Sequence, residues 1–307
     1  MGKENEIRGR IFDVKRFAVH DGPGIRTTVF LKGCSLQCAW CHNPEAMSPK
    51  PQISIYPQRC IDCGACIEAC TYGAREENEA GERTYNRDLC EVCGECVEVC
   101  YAESIVMQGR EVSVEEVMND VRKDASFYEE SGGGVTLSGG EPLLQGPFVT
   151  AVLRACKSEG FHTALDTCGM VRWEAFENAL PFVDLLLFDI KHMDPELHQK
   201  HTGASNSQIL ENLRSLGKRE AAIEIRMPII PTVNDDRKTV EAAADMLSSI
   251  DSVTAVRLLP YHRLAGEKYI SLGYENTMPK VDPPDEEKMA HIAGWVRSYG
   301  LNVITLE

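Results

Sequence analysis

Residues 185–190 read Leu-Leu-Leu-Phe-Asp-Ile, a strand-like run set between two helical patterns, Trp173–Phe182 before it and Gln208–Arg219 after it. The alternation continues in both directions. Val135–Leu137, Thr163–Asp166, Ile223–Met227, Val253–Leu259 and Val303–Leu306 read as strands, and Phe148–Glu159, Lys238–Ile250 and Glu286–Tyr299 as helices. Strands separated by crossover helices build a parallel sheet, so the fold class is α/β. Periodicity admits an open doubly wound sheet or a whole or partial barrel. Further upstream, Ile7–Lys32 reads as two strands around the turn His20-Asp-Gly-Pro-Gly24. The acidic run Asp282–Glu287 suits the first turn of the last helix, and the charged segment Arg75–Arg87 reads as a solvated loop.

With 307 residues, 43% of them hydrophobic, the chain can fill a core and is not generally disordered. Thirty-two Lys and Arg against forty-seven Asp and Glu leave a net charge of −15, a surface that repels phosphate backbones. Nucleic acid is therefore not an expected partner. Met1–Glu6 shows no export or lipidation signal, and the greasiest stretch, Leu180–Ile190, is too short for a bilayer and is broken by Asp184 and Asp189. A cytoplasmic protein with no membrane partner is expected.

Thirteen cysteines are too many for a reducing compartment unless most hold metal, and eleven of them fall between Cys34 and Cys100. Their dense spacing argues against disulfides. Cys34-Ser-Leu-Gln-Cys38-Ala-Trp-Cys41 puts three thiols on one loop directly after a strand. Three thiolates can hold a four-iron cubane and leave one iron without a protein ligand, the open position that reactive metal sites use. The competing arrangement is a zinc knuckle that borrows His42, but zinc ligands usually come as two separated pairs. From about Pro49 to Met107 the chain is Cys-rich and repeats itself: Cys60-Ile-Asp-Cys-Gly-Ala-Cys-Ile-Glu-Ala-Cys70 against Cys90-Glu-Val-Cys-Gly-Glu-Cys-Val-Glu-Val-Cys100. This is the C-x2-C-x2-C-x3-C spacing of bacterial ferredoxins, in which the fourth Cys of each run ligates the other cluster. On that pattern Cys60, Cys63, Cys66 and Cys100 hold one cubane, and Cys90, Cys93, Cys96 and Cys70 the second. Thr71 and Tyr101 replace the usual proline after the fourth Cys.

The chain resembles a known family at these residues. Cys34-x3-Cys38-x-Trp40-Cys41 followed by His42-Asn-Pro-Glu45 is similar to the cluster loop of the radical S-adenosylmethionine enzymes. Asp21-Gly-Pro-Gly-Ile-Arg26 and Ser138-Gly-Gly-Glu-Pro142 resemble, more narrowly, the glycyl radical enzyme activating enzymes. The resemblance implies a partial (β/α)6 barrel over residues 1–48 and 108–307, with a bacterial-ferredoxin-like insert over residues 49–107. It implies three 4Fe–4S clusters, S-adenosylmethionine and a candidate monovalent cation as cofactors. Cys34, Cys38 and Cys41 would carry the catalytic cluster, Trp40 would lie near the adenine, and Gly139, Gly140 and Glu141 would bind the methionine end. Asp189 and Lys191 would contact the cofactor, Asp166 would belong to a cation site or to the target-glycine environment, and Arg226 and His262 would reach the ribose or carboxylate. Asp166, Asp189, Lys191, Arg226 and His262 all fall at or just past strand ends, the face where parallel α/β folds bind ligands.

The expected partners are a glycyl radical enzyme, of the lyase, dehydratase or decarboxylase branch rather than pyruvate formate-lyase, and an electron donor such as flavodoxin or ferredoxin. Cys156 is expected in the core, Cys168 without a metal, and His198 and His201 on the surface. Two rivals are a radical enzyme acting on a small molecule or a tRNA, and an electron carrier with no chemistry of its own. The second leaves the three-Cys loop and about 200 residues of α/β domain unexplained.

Overall fold

The computed structural model describes residues 7–219 and 221–305. The chain opens with β1 (Arg8–Ala18) and β2 (Arg26–Leu31), an antiparallel pair. A small unit follows: β3 (Gln52–Ile55), α1 (Ala65–Glu68), β4 (Arg75–Glu77), β5 (Arg83–Tyr85), α2 (Glu95–Glu98) and β6 (Ile105–Gln108). Then come β7 (Arg110–Ser113), α3 (Val114–Arg122), α4 (Ala125–Ser131), β8 (Gly134–Gly139), α5 (Gly146–Ser158), β9 (His162–Thr167), α6 (Trp173–Ala179) and β10 (Leu185–Asp189). The rest is α7 (Pro195–Thr202), α8 (Ser207–Leu216), β11 (Ala222–Ile229), α9 (Arg237–Ser248), β12 (Val253–Pro260), α10 (Gly266–Leu272), α11 (Glu286–Arg297) and β13 (Val303–Thr305). Leu306, expected to end the last strand, and Met1–Glu6 lie outside the described residues.

One nine-stranded sheet, in the order β13-β12-β11-β10-β9-β8-β2-β1-β7, carries the large domain. From β2 through β8 to β13 every neighbouring pair is parallel, which makes seven parallel strands where six were expected. Local chemistry starts the helices; α9 and α11 begin within one residue of the sequence expectation, whereas α3 and α7 were not among the expected helices. Ser113 and Glu116 form a reciprocal capping box on α3, and Asp194, Asp236 and Asp285 cap α7, α9 and α11. The apolar stripe of α5, including Val149, Val152, Leu153 and Cys156, is buried against the sheet core.

Because the strands are parallel, their C-terminal ends share one edge, and the loop after each end reaches the same space. Residues 34–41 follow β2. They are pinned by α7, whose last carbonyls have no partner within the helix: Gln37 N–H donates to Thr202 O at 2.8 Å and Ala39 N–H to His201 O at 2.9 Å.

Two expectations need correction. Arg75–Arg87 is no solvated loop but holds a hairpin in which Arg75 pairs with Tyr85; Arg75 is buried, its guanidinium 5.3 Å from the Tyr85 ring. His198 is buried, not on the surface, because its Nδ1 lies 2.6 Å from Ala204 O and closes the turn after α7. Cys156 is fully buried, as expected.

Candidate active site

The strand ends surround a cleft of about 260 Å³ whose walls include Cys34, Cys38, Trp40, Cys41, Gly139, Gly140, Asp166, Asp189, Lys191 and Arg226. Residues from Cys34 to Arg226 thus share one space. Cys168, unassigned from sequence, is there too, together with an apolar side made of Pro228, Ile230, Leu259, Pro260 and Tyr261. Trp40 is buried, its ring 6.0 Å from that of His201.

The two glycines are required by packing as well as by ligand access. Gly139 has φ +120°, and a Cβ on it would stand 2.3 Å from Leu31 N; a Cβ on Gly140 would stand 2.1 Å from Gly33 O. Gly140 N–H donates to Leu31 O, and Glu141 N–H to Gly33 O, which ties this turn to the root of the three-Cys loop.

Charge in the cleft is concentrated in two groups. Lys191 forms a short ion pair with Asp189, both largely buried. Burial alone would lower the lysine's pKa, but the Asp189 carboxylate and the nearby thiols outweigh it and raise it. Arg226 donates to His20 O at 2.6 Å and lies 3.4 Å from Asp166 and 3.8 Å from Asp21. Asp166, expected at a cation site or in the target-glycine environment, faces a guanidinium, and its Oδ2 also accepts from Ser138 Oγ at 2.6 Å. Burial raises the Asp166 carboxyl to about 6, with Arg226 opposing the rise. Burial likewise pushes up the Cys38 thiol, and pushes Cys41 to about 12. Neither is a nucleophile at neutral pH, and a metal is what turns such thiols into thiolates. Three thiols on one loop, facing a cleft of this size, fit a 4Fe–4S cluster with an iron open to a ligand.

Two residues expected to touch a ligand lie behind the wall. Glu141 has no solvent exposure, and its carboxylate accepts from Leu143 N–H at 3.1 Å, Thr167 Oγ1–H at 2.8 Å and Cys168 N–H at 2.9 Å. All its reach is spent inside the protein. The His262 ring stacks on His42, centroids 3.9 Å apart, and it is His42 that lines the cleft. Two asparagines that drew no notice in the sequence hold the rim. Asn234 donates to Lys191 O and Pro228 O and accepts from Ile230 N–H, and Asn212 donates to Gly169 O and Val171 O. An Asn among apolar helical residues, as at 212, was the available signal.

In the small unit, no three described side chains converge as the ligands of a single ion do. The thiols instead ring two small cavities, one lined by Cys60, Cys63, Cys66 and Cys100, the other by Cys70, Cys90, Cys93 and Cys96.

Residues 28–243 match the Radical SAM superfamily. The chain is 43% identical over 92% of both lengths to the (2S)-3-sulfopropanediol dehydratase activating enzyme of Klebsiella oxytoca. It is also 43% identical, over 91% of both, to the isethionate sulfite-lyase activating enzyme of Desulfovibrio desulfuricans. Among solved structures, a domain of a pyruvate-formate lyase-activating enzyme from Bacteroides vulgatus is 33% identical with a TM-score of 0.50, covering 57% of this chain and 100% of that one. Among the described residues no helix is long and apolar enough to cross a membrane.

Proposed function

The chain belongs to the radical SAM superfamily and, within it, to the activating enzymes of glycyl radical enzymes, and we propose from that membership how its residues share the work. The activity is reductive cleavage of S-adenosylmethionine to a 5′-deoxyadenosyl radical, which takes a hydrogen atom from a glycine of a partner glycyl radical enzyme. The dehydratase and lyase named in its relatives agree with a partner from those branches rather than pyruvate formate-lyase.

The carrying observation is the cleft, where the three-Cys loop meets Asp166, Asp189, Lys191 and Arg226. Cys34, Cys38 and Cys41 are the ligands of the catalytic cluster, which when bound supplies the electron that breaks the sulfonium bond. Asp166 and Asp189 face the cleft together with Lys191 and Arg226, so groups of both signs meet a ligand that carries an ammonium, a sulfonium and a carboxylate. Asp166 and Asp189 are the partners for the ammonium, and Lys191 and Arg226 donate to carboxylate and ribose oxygens. Trp40 packs by the adenine, Gly139 and Gly140 offer carbonyls, and the apolar side from Pro228 to Tyr261 excludes water. Glu141 positions the 167–168 segment without touching the cofactor.

The overall architecture is a partial barrel with a two-cluster, ferredoxin-like insert that takes electrons from flavodoxin or ferredoxin. The two crossed rings of four thiols support this reading, since bacterial ferredoxins cross their fourth ligand in the same way. Three clusters make about twelve irons per chain after anaerobic reconstitution; zinc as the main metal would overturn it. The activity is tested with a partner enzyme carrying deuterated glycine. Deuterium should pass into 5′-deoxyadenosine as a glycyl radical signal grows in electron paramagnetic resonance, whereas transfer only from a small metabolite would contradict the proposal.

A further inference from the structure

The two cysteine runs of the insert are near copies in sequence, yet their surroundings differ in charge. The two cations that make that difference lie on the β4–β5 hairpin. Arg83 Nη1 donates to Cys60 Sγ at 3.1 Å and also pairs with Asp62 at 3.0 Å. Arg75 Nη2 donates to Cys66 Sγ at 3.6 Å. Both guanidiniums line the cavity of Cys60, Cys63, Cys66 and Cys100, and the Nε of each is buried without a partner. A buried donor left unpaired is costly, and sulfur-rich contents of that cavity would satisfy it.

The second ring is treated differently. Arg87, just past the hairpin, directs Nη1 to Ile53 O at 2.9 Å and Nη2 to Ser271 O at 2.8 Å, so its hydrogen bonds go to carbonyls. Cys90 Sγ accepts from the backbone N–H of Val92. Arg75 also borders this second cavity, but its sulfur contact is to Cys66 of the first. Among the described residues, the guanidinium hydrogen bonds to insert thiols all fall on the first ring.

Resting on the two-cluster reading above, we propose that Arg83 and Arg75 make the cluster of Cys60, Cys63, Cys66 and Cys100 the higher-potential member of the insert pair, the one an incoming electron reduces first. The physics is one of charge. One-electron reduction of a cubane held by four thiolates adds a negative charge to a centre that is already anionic. Cationic donors on its sulfurs favour the reduced form over the oxidised one, and hydrogen bonds to sulfur and net charge are among the factors that set such potentials. Asp62 opposes Arg83 but is highly exposed, where solvent screens it.

The test uses the full chain with Cys34, Cys38 and Cys41 changed to Ala, reconstituted anaerobically, so that only the insert clusters titrate. Iron analysis comes first. About eight irons are expected, and iron near zero would mean that the two-cluster reading itself has failed. A redox titration followed by electron paramagnetic resonance should then show two separate one-electron waves. Arg83→Gln and Arg75→Gln should each lower the upper wave. A tenfold fall in the reduced-to-oxidised ratio at fixed potential corresponds to about 59 mV. Arg83→Lys, which keeps the charge, should retain most of the parent value. A single merged wave in the parent, or an unmoved upper wave in a glutamine variant that keeps its iron, overturns the proposal. If Arg83→Gln loses iron, Arg75→Gln decides by the same criterion.

Discussion

Glu141 accepts three hydrogen bonds at zero exposure, and that environment makes it a residue that positions others. Replacing it with Ala strands the N–H groups of Leu143 and Cys168 and the Thr167 hydroxyl, at about 2–4 kcal/mol in total. We expect Glu141→Ala to lower the thermal midpoint and the cofactor affinity together. Weakened binding with an unchanged melting curve would return Glu141 to direct cofactor contact. Asp166 behaves differently because it lines the cleft. Its carboxyl is raised to about 6, chiefly by burial, so it is protonated below that pH and an anion above it. Only the anion attracts an ammonium. Calorimetric affinity for S-adenosylmethionine should therefore climb as pH rises through about 6, and Asp166→Asn should both weaken it, by about tenfold, and flatten that rise. Both readings depend on side-chain direction, and the strand-end positions alone, legible in sequence, did not separate Glu141 from Asp166.

At the scale of elements, the cleft is kept in shape by side chains that join one βα loop to the next. Asn234 links the ends of β10 and β11 through Lys191 O and Pro228 O, and Asn212 of α8 clamps the loop after β9. Asn212→Ala leaves two buried carbonyls without their donor, at about 1–3 kcal/mol. Chemical denaturation should show that loss. Asn234→Ala should instead be felt in cofactor affinity, because Lys191 sits on the segment it holds; normal affinity in that variant would remove Asn234 from the rim. The start of α11 was legible because a cap is decided within three residues, as at Asp285. The hairpin around Arg75 was not. Its charged sequence gives no period, and the burial of Arg75 depends on Tyr85 and on thiols that only the folded insert brings near.

Across the whole molecule, the nine-stranded sheet with its helices and the small Cys-rich unit are stabilised by different means. The large domain shares one extended apolar core, whereas the insert has its own cluster of just four buried residues, Ile53, Cys66, Cys96 and Ile105, two of them thiols. A core that small offsets little of the entropy of ordering this unit, and on the two-cluster proposal metal binding supplies the difference. Limited proteolysis of iron-free protein should therefore cut between about residues 49 and 107 while sparing the large domain, and reconstitution should protect both. Equal resistance without iron would show that the insert folds by itself. By itself the sequence determined the features that covalent neighbours decide: three thiols on one loop, two four-Cys runs, the strand and helix alternation, and, through parallel connectivity, one edge for the ends of the crossover-linked strands. Tertiary structure alone decided which polar groups on that edge face the cleft. Glu141 turns to Thr167 and Cys168, His262 stands behind His42 from 220 residues away, and Arg83 reaches Cys60 across a hairpin. Each outcome depends on a partner distant in sequence, and burying a polar side chain requires that partner to be in place.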